Sequence, residues 1–294
     1  MRLIDHLKAT GLGNREARAA LETGKVWLDG APVADPGRTV DPSRVRLRPD
    51  APRLVPGRDP VVLHHDRDLL VVIKPSGMLS VPAPGRDEDP NLLGVLGRRF
   101  GRVLAVHRLD EETSGLVVLA LRPDTQEALK AQFEDHAVDR RYLALVRGDF
   151  RREGTVTSAM IRDRGDGLRG SVSGSRRWTD AAEPVVPRGA PPHGSRWAVT
   201  WLAGRETRAG LTLVEARLAT GRTHQVRIHL AELGHPVLGD GLYGPERARR
   251  DRRGGRLALH AWQLRFVHPH TRAPMAFTIP LADDLARRWE GGAA

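Results

Sequence analysis

Residues 103–121 read VLAVHRLDEETSGLVVLAL, two short apolar runs around a polar turn. Residues 103–106 and 116–121 have the length and composition of buried strands. The first strand delivers His107, Arg108 and Asp110 onto a short loop, and Gly115 permits a tight exit into the second. A loop tethered at both ends suits a catalytic group that must hold its position. Asp110 and Thr113 equally fit a plain structural part, because Asx and ST turns satisfy backbone groups in this way. Taken alone, the stretch leaves both readings open.

Outward from this turn, short apolar runs dominate from Val61 onward. Residues 69–73, 142–146, 211–218, 257–267 and 275–279 also read as strands, and 91–100, 124–136, 223–233 and 281–289 as helices. Strands follow one another without regular βα alternation. The expected fold is therefore α+β with a mixed, mostly antiparallel sheet, not a doubly wound one. Two stretches look loose: residues 162–196, rich in Gly, Ser, Pro and Arg, and the Arg-rich residues 245–255. Both fit solvated loops or flexible phosphate contacts.

Ahead of this region, residues 1–50 read as a small α/β module. Leu3, Ile4 and Leu7 share a helical face, and residues 15–22 form a second helix stopped by Gly24. Residues 26–28 and 45–48 read as strands, with Asp29-Gly30 as a hairpin turn. Pro49, Pro52, Pro56 and Pro60 forbid a long helix, so residues 51–60 read as a linker and 61–294 as the main domain.

The formal charge is +11, from 47 basic and 36 acidic side chains. Nearly all the bases are Arg; Lys8, Lys25, Lys74 and Lys130 are the exceptions. Genome bias explains Arg in place of Lys but not the surplus, which favours a polyanionic partner. Without cysteine the chain has no disulfide, thiolate metal site or Cys nucleophile. No stretch approaches the roughly 20 apolar residues of a membrane span, so a cytoplasmic protein is expected.

Two further segments carry chemistry. Residues 220–230, TGRTHQVRIHL, put Val226, Leu230 and Leu233 on one buried helical stripe, with Thr223 and Arg227 on another face. A polar cluster opening such a helix suits phosphate binding or the orientation of a carboxylate. It also fits an ordinary amphipathic helix. His224 and His229 are five apart, which misses the i, i+4 register of a helical zinc pair, and no metal is expected. Residues 141–148, RYLALVRG, read as a strand whose Tyr142 suits either core packing or stacking on a base.

His107-Arg108-Leu109-Asp110 with Thr113-Ser114-Gly115-Leu116 resembles the signature of the RluA-type pseudouridine synthase family. Residues 220–229, continued by Leu233-Gly234-His235-Pro236 and Leu242-Tyr243-Gly244, resemble a second family segment. Residues 70–78 and 142–148 resemble two more, all in family order over residues 61–280. Residues 2–48 are similar to the S-four-like RNA-binding module often fused ahead of this domain, with Asn14-Arg15 where a Ser-Arg pair usually opens the second helix.

The resemblance implies an isomerase that converts uridine in RNA to pseudouridine without a cofactor. The N-glycosidic bond breaks, the uracil turns, and its C5 bonds to the ribose. Asp110 is then the essential carboxylate, and Arg227 the basic residue that pairs with it. Tyr142 becomes the tyrosine that stacks on uracil and a candidate to help remove the C5 proton. Arg108 is the candidate to fill the gap left by the extruded base. His107, Thr113, Arg222, His224 and Gln225 are expected to bind RNA, together with Arg15 and Arg18 on the N-terminal module. Ribosomal RNA of the large subunit is favoured over transfer RNA, acted on by a monomer. Two rivals stand beside this reading. A non-catalytic RNA binder needs none of the three site residues, and a glycosidase needs a second carboxylate that the matched segments do not offer.

Overall fold

A computed structural model describes residues 1–22, 25–28, 31–32, 36–47, 59–86, 89–175, 177–192, 194–245 and 255–291. Its centre is the pair β5 (Leu69–Lys74) and β7 (Ser114–Ala120), antiparallel from Leu69 opposite Ala120 to Lys74 opposite Gly115. Every residue of β7 is buried. Alternation sends Leu70, Val72, Val117 and Leu119 into one core and Leu69, Val71, Leu116 and Val118 into another. A strand covered on both faces reads as a continuous apolar run, which is why 69–73 and 116–121 look as they do.

One core is closed by α3 (Leu92–Phe100), α5 (Gln225–Glu232) and α6 (Asp283–Gly291), through Leu92, Leu96, Val226, Leu230, Leu285 and Trp289. The other is closed by α4 (Pro123–Glu134), through Leu129. Asn91 caps α3 by accepting from the Gly94 N–H at 2.9 Å.

The sheet extends on both sides. Beyond β5 lies β4 (Val61–His65). Beyond β7 come β14 (Leu259–Val267), β8 (Asp139–Arg147), β13 (Leu211–Leu218), β12 (Arg196–Arg208), β9 (Glu153–Ile161) and β10 (Gly170–Ser171). Three short strands attach at the sides: β6 (Leu104–Ala105) on β7, β11 (Arg177–Thr179) on β9 and β15 (Pro274–Thr278) on β14. Among the described residues β7 and β14 form the parallel pair, and the other pairings are antiparallel. The α+β expectation holds.

Two readings change. The 13-residue β12 and the 9-residue β9 were not foreseen, and residues 162–196 carry β10 and β11 instead of an uninterrupted loop. Pairing with β9 orders this polar stretch; Trp178 then packs on Phe150 and under Arg152, 4.3 Å from its ring. The helix expected over 223–233 begins at Gln225, because His224 adopts a left-handed conformation (φ 60°) that no helix continues through. Residues 246–254 of the Arg-rich stretch lie outside the described residues.

At the N-terminus, α1 (Leu3–Ala9) and α2 (Asn14–Glu22) accompany a three-stranded sheet ordered β2 (Ala31–Pro32), β1 (Val26–Leu28), β3 (Val45–Leu47). Leu3, Ile4, Leu7, Ala17, Leu21, Val26, Val40 and Val45 form a core of their own. Asn14 is the first helical residue rather than a cap, and the Gly13 N–H donates to Glu16 at 2.9 Å. Gly24, the Asp29-Gly30 turn, Arg48 and most of the expected linker lie outside the described residues.

Gly115 sits where β7 meets β14. Its φ is 120°, and a Cβ there would lie 2.2 Å from the Ala261 carbonyl oxygen. Gly115→Ala should therefore lose on the order of 3 kcal/mol in urea unfolding, from backbone strain plus overpacking. A loss below 0.5 kcal/mol, a rough threshold for surface changes, would show that the strands part more easily than this packing implies.

Candidate active site

The turn between β6 and β7 is held from below. Lys74, at the end of β5, is fully buried and its Nζ donates to the carbonyls of Pro75, Met78 and Glu111 at 3.0, 2.8 and 3.0 Å. The Ser76 hydroxyl donates to the Glu112 carbonyl and the Gly77 N–H to that of Glu111. Ser80 Oγ donates to the Leu109 carbonyl and accepts from the Leu109 N–H. Burial pushes the Lys74 ammonium down to about 7, opposed by Asp110 and Glu111.

The Asp110 carbonyl accepts from the Thr113 N–H at 3.1 Å, closing the turn, and the Asp110 side chain lines a cleft of about 660 Å³. The cleft runs between this turn, α4, β8 and the start of α5. Neither neighbouring glutamate lines it. Glu111 takes Arg86 at 2.7 Å, and Glu112 lies 3.6 Å from Arg227. Asp110 is thus the acid of its turn that reaches the cleft.

Arg227, expected to pair with Asp110, makes its hydrogen bonds elsewhere. Its guanidinium is 2% exposed and grips Asp240 in a two-point pair, Nε to Oδ2 and Nη2 to Oδ1, both 2.8 Å. Asp240 Oδ1 also accepts from the N–H groups of Leu242 and Tyr243. Burial alone would raise the Asp240 carboxyl, but these donors hold it below the usual carboxylate range. Asp110 still feels the Arg227 charge at a distance, since Asp110 is one of the groups that raise the guanidinium. Among the described residues the basic group within ion-pair distance of Asp110 is His224, with Nε2 at 4.0 Å from Oδ1. Its other nitrogen bonds the Tyr243 hydroxyl at 2.9 Å, and burial lowers the imidazole against the pull of Asp110.

Tyr142 is 7% exposed and lines the cleft from β8; burial pushes its phenol up to about 12. Arg108 is exposed at the mouth. The hydroxyl of Thr113, buried near Asp110, has no hydrogen-bond partner among the described residues. Arg222 is half-buried and donates from Nε to the Trp197 carbonyl.

Two of the expected RNA contacts also hold the fold. His107 Nε2 accepts from the Val118 N–H at 3.1 Å and its ring stacks on Phe133 at 4.6 Å. Burial and the nearby Arg140 push it down to about 3, so it stays neutral. Gln225 spends its amide on Val199, Thr200, Thr220 and the Arg222 N–H. Both line the cleft; the Gln225 amide is committed to these bonds, and His107 commits its Nε2. Arg15 and Arg18 are exposed on α2, away from these contacts in sequence.

His224 and His229 are not a pair. His229 bonds Ser158 and Thr200 in the interior. Asp66, Asp68 and His268 do gather within 4.8 Å, but at the β4–β5 turn, where Asp66 accepts from the N–H groups of Asp68 and Leu69. Residue patterns missed Lys74, Asp240, Tyr243 and Arg140 as site residues. Lys74 alone carried a signal: a lysine in an arginine-rich chain, ending an apolar strand, where a compact ammonium fits a cage of carbonyls that a planar guanidinium does not.

Residues 68–232 match the RNA pseudouridylate synthase family. The chain is 34% identical over 235 residues to ribosomal large subunit pseudouridine synthase D of Nitrosomonas europaea, covering 76% of this chain and 63% of that protein. The chain therefore spans less than two thirds of that relative. It is also 34% identical over 232 residues to the dual-specificity RNA pseudouridine synthase RluA of Pasteurella multocida, covering 77% and 96%. Among solved structures, human RNA pseudouridylate synthase domain containing 1 superposes with a TM-score of 0.60 at 29% identity, covering 77% of this chain and 86% of that one.

Removing one member of the Arg227–Asp240 pair leaves a buried charge uncompensated. Asp240→Asn should lose about 3–5 kcal/mol in urea unfolding at pH 7. A lowered carboxyl contributes stability above its unfolded value that disappears as pH falls through the folded one, so the deficit should shrink on acidification below about 4. A loss under 1 kcal/mol at pH 7, a rough surface-pair value, would show that the pair is solvated in practice.

Proposed function

Because the chain belongs to the RluA-type RNA pseudouridine synthase family, we propose that it isomerises uridine to pseudouridine in large-subunit ribosomal RNA, with Asp110 as the reacting carboxylate. The observation that carries this reading is the convergence on one cleft of Asp110, Tyr142 and Arg227. Support for the RNA class comes from the named activities of the relatives and from the +11 charge.

The chemistry follows from the geometry. The turn is fixed by Lys74, Ser76 and Ser80, so Asp110 meets its substrate with little freedom left to lose. A carboxylate there can attack the sugar or take a proton from it as the glycosidic bond breaks. Arg227 supplies positive charge from behind the Asp240 pair, and His224 lies at the rim of the same group. Tyr142, with a phenol near 12, stays protonated in the free protein. That favours a stacking platform for uracil over a resting base. Arg108, exposed at the mouth, is placed to occupy the space a flipped base leaves, offsetting part of an unstacking cost of a few kcal/mol. Thr113, Arg222 and His224 remain candidate RNA contacts. We take the protein to act as a cytoplasmic monomer; among the described residues no helix is long and apolar enough to cross a membrane.

A glycosidase would use a second carboxylate across the bond. Neither Glu111 nor Glu112 lines the cleft; Glu134 does, from the end of α4, and the family match rather than a missing acid is what disfavours that chemistry.

Asp110→Asn should abolish pseudouridine formation in large-subunit ribosomal RNA while RNA affinity stays within a few fold, because the amide keeps the shape but not the charge. Because the isomer has the same mass as uridine, the product is read by chromatographic separation of nucleosides after digestion, or by mass mapping after carbodiimide labelling of pseudouridine. Full activity of the variant, or release of free uracil by the wild type, would sink the mechanism.

We also propose that residues 1–50 are an S-four-like module that positions the RNA through the exposed Arg15 and Arg18, one helical turn apart on α2. A protein lacking residues 1–50 should keep a folded, weakly active domain, and its affinity should fall less steeply with salt than that of the full chain. Identical salt slopes and identical site selection would remove the module from RNA binding.

A further inference from the structure

Arg140 is a buried cation that Asp139 attracts only from beyond contact and that makes no ion pair among the described residues. It lies two residues before Tyr142 on β8, so both side chains leave the same face of the strand and both line the cleft. It is 8% exposed. Its Nε is buried and makes no hydrogen bond, and among the described residues no carboxylate lies within ion-pair distance of it. The next residue shows the contrast: Arg141, on the opposite face, is held by Asp139 at 3.2 Å and Glu215 at 3.0 Å.

What Arg140 does touch does not neutralise it. Its guanidinium stands 5.2 Å over the Phe133 ring, a weak cation–π contact. It packs on Gly221 so closely that a Cβ there would lie 2.7 Å from Nη1. Asp139 attracts it at a distance, but Arg222 and His136 both feel the Arg140 charge unfavourably, and both line the cleft with Lys130. A guanidinium removed from water with no anion beside it is costly, and burial lowers it accordingly. Such an arrangement is stable in use when a ligand brings the anion. A phosphate fits the fork of a guanidinium with two parallel hydrogen bonds.

We propose that Arg140, with Arg222 beside it, forms a phosphate-binding subsite in the cleft wall that holds an RNA backbone phosphate next to the uridine entering the site. The proposal rests on the reading that RNA enters this cleft, and deepens it. Arg140 and Tyr142 then act as one device: the strand presents a phosphate clamp and a stacking ring two residues apart. The glycine at 221 is the space in which the guanidinium lies.

The test is binding of the full chain to a single-stranded RNA dodecamer containing one uridine, followed by anisotropy from 50 to 300 mM KCl. Arg140→Gln should weaken binding about tenfold at 100 mM and reduce the slope of log affinity against log salt by about 0.7, the share of one phosphate on a single strand. Arg140→Lys, which keeps the charge, should restore most of the slope. The melting temperature of free Arg140→Gln should be unchanged or higher, because an uncompensated buried charge is gone. A lower melting temperature with an unchanged slope would make Arg140 a structural residue and overturn the proposal. The wild type gives a second readout independent of folding. A neutral methylphosphonate at one linkage beside the uridine should cost about tenfold in affinity, and equal binding of every singly neutralised dodecamer would also overturn it. None of these readouts involves chemistry. Failure of the wild type to form pseudouridine would instead count against the proposed isomerase activity and leave the slope result standing.

Discussion

One buried ammonium fixes the geometry on which the site depends. Lys74 Nζ spends its three protons on three carbonyls, two from residues 75–78 and one from Glu111. An ammonium with three acceptors is satisfied, whereas the same group unpaired in that position would be expelled or deprotonated. The contact ties the end of β5 to the turn that leads into β7. Gly115 then lets β7 pass against the Ala261 backbone, closer than any side chain allows. Asp110 is held between these two constraints, one polar and one steric.

The opposite wall is organised by a buried ion pair. Arg227 and Asp240 come from α5 and the segment after it, and Asp240 also gathers the N–H groups of Leu242 and Tyr243. The Tyr243 ring lies 5.4 Å from the Arg227 guanidinium, and its hydroxyl bonds His224. A continuous polar chain thus runs from Asp240 through Tyr243 to His224, which faces Asp110. Networks of this kind hold position when every member is bonded, and the low dielectric that strengthens them also makes each loss expensive. His224 sits in left-handed backbone at the start of α5, a strained conformation kept by its surroundings and characteristic of functional positions.

Charge is distributed unevenly between these walls and the surface. Many surface arginines are matched by near acids, as Arg122 is by Asp124 and Arg208 by Glu206. Among the described residues Arg140 and Arg222 make no ion pair, although they lie in the cleft, where burial penalises charge. Stability alone gives no reason to concentrate unmatched cations there. A polyanion that enters the cleft does.

The sequence by itself determined the strands at the centre, because β5 and β7 are buried on both faces and only continuous apolar runs survive there. It determined the tight turn before Gly115 and, through the matching segments around Asp110, Tyr142 and Arg227, the family. It did not reveal β9 and β12: Arg196–Arg208 is edged by polar residues, and its strand character comes from pairing with β9 and β13. Nor did it assign partners. Arg227 and Asp240 are thirteen residues apart with no periodicity linking them, and only folding brings a loop carboxylate under a helix guanidinium. The same holds for His107 and Gln225, polar in sequence and apt for RNA, whose bonds to the backbone of Val118 and Val199 appear only once the sheet forms. Residue type sets what a side chain is able to bond; tertiary structure decides which bonds are already made, and so which groups remain for a substrate.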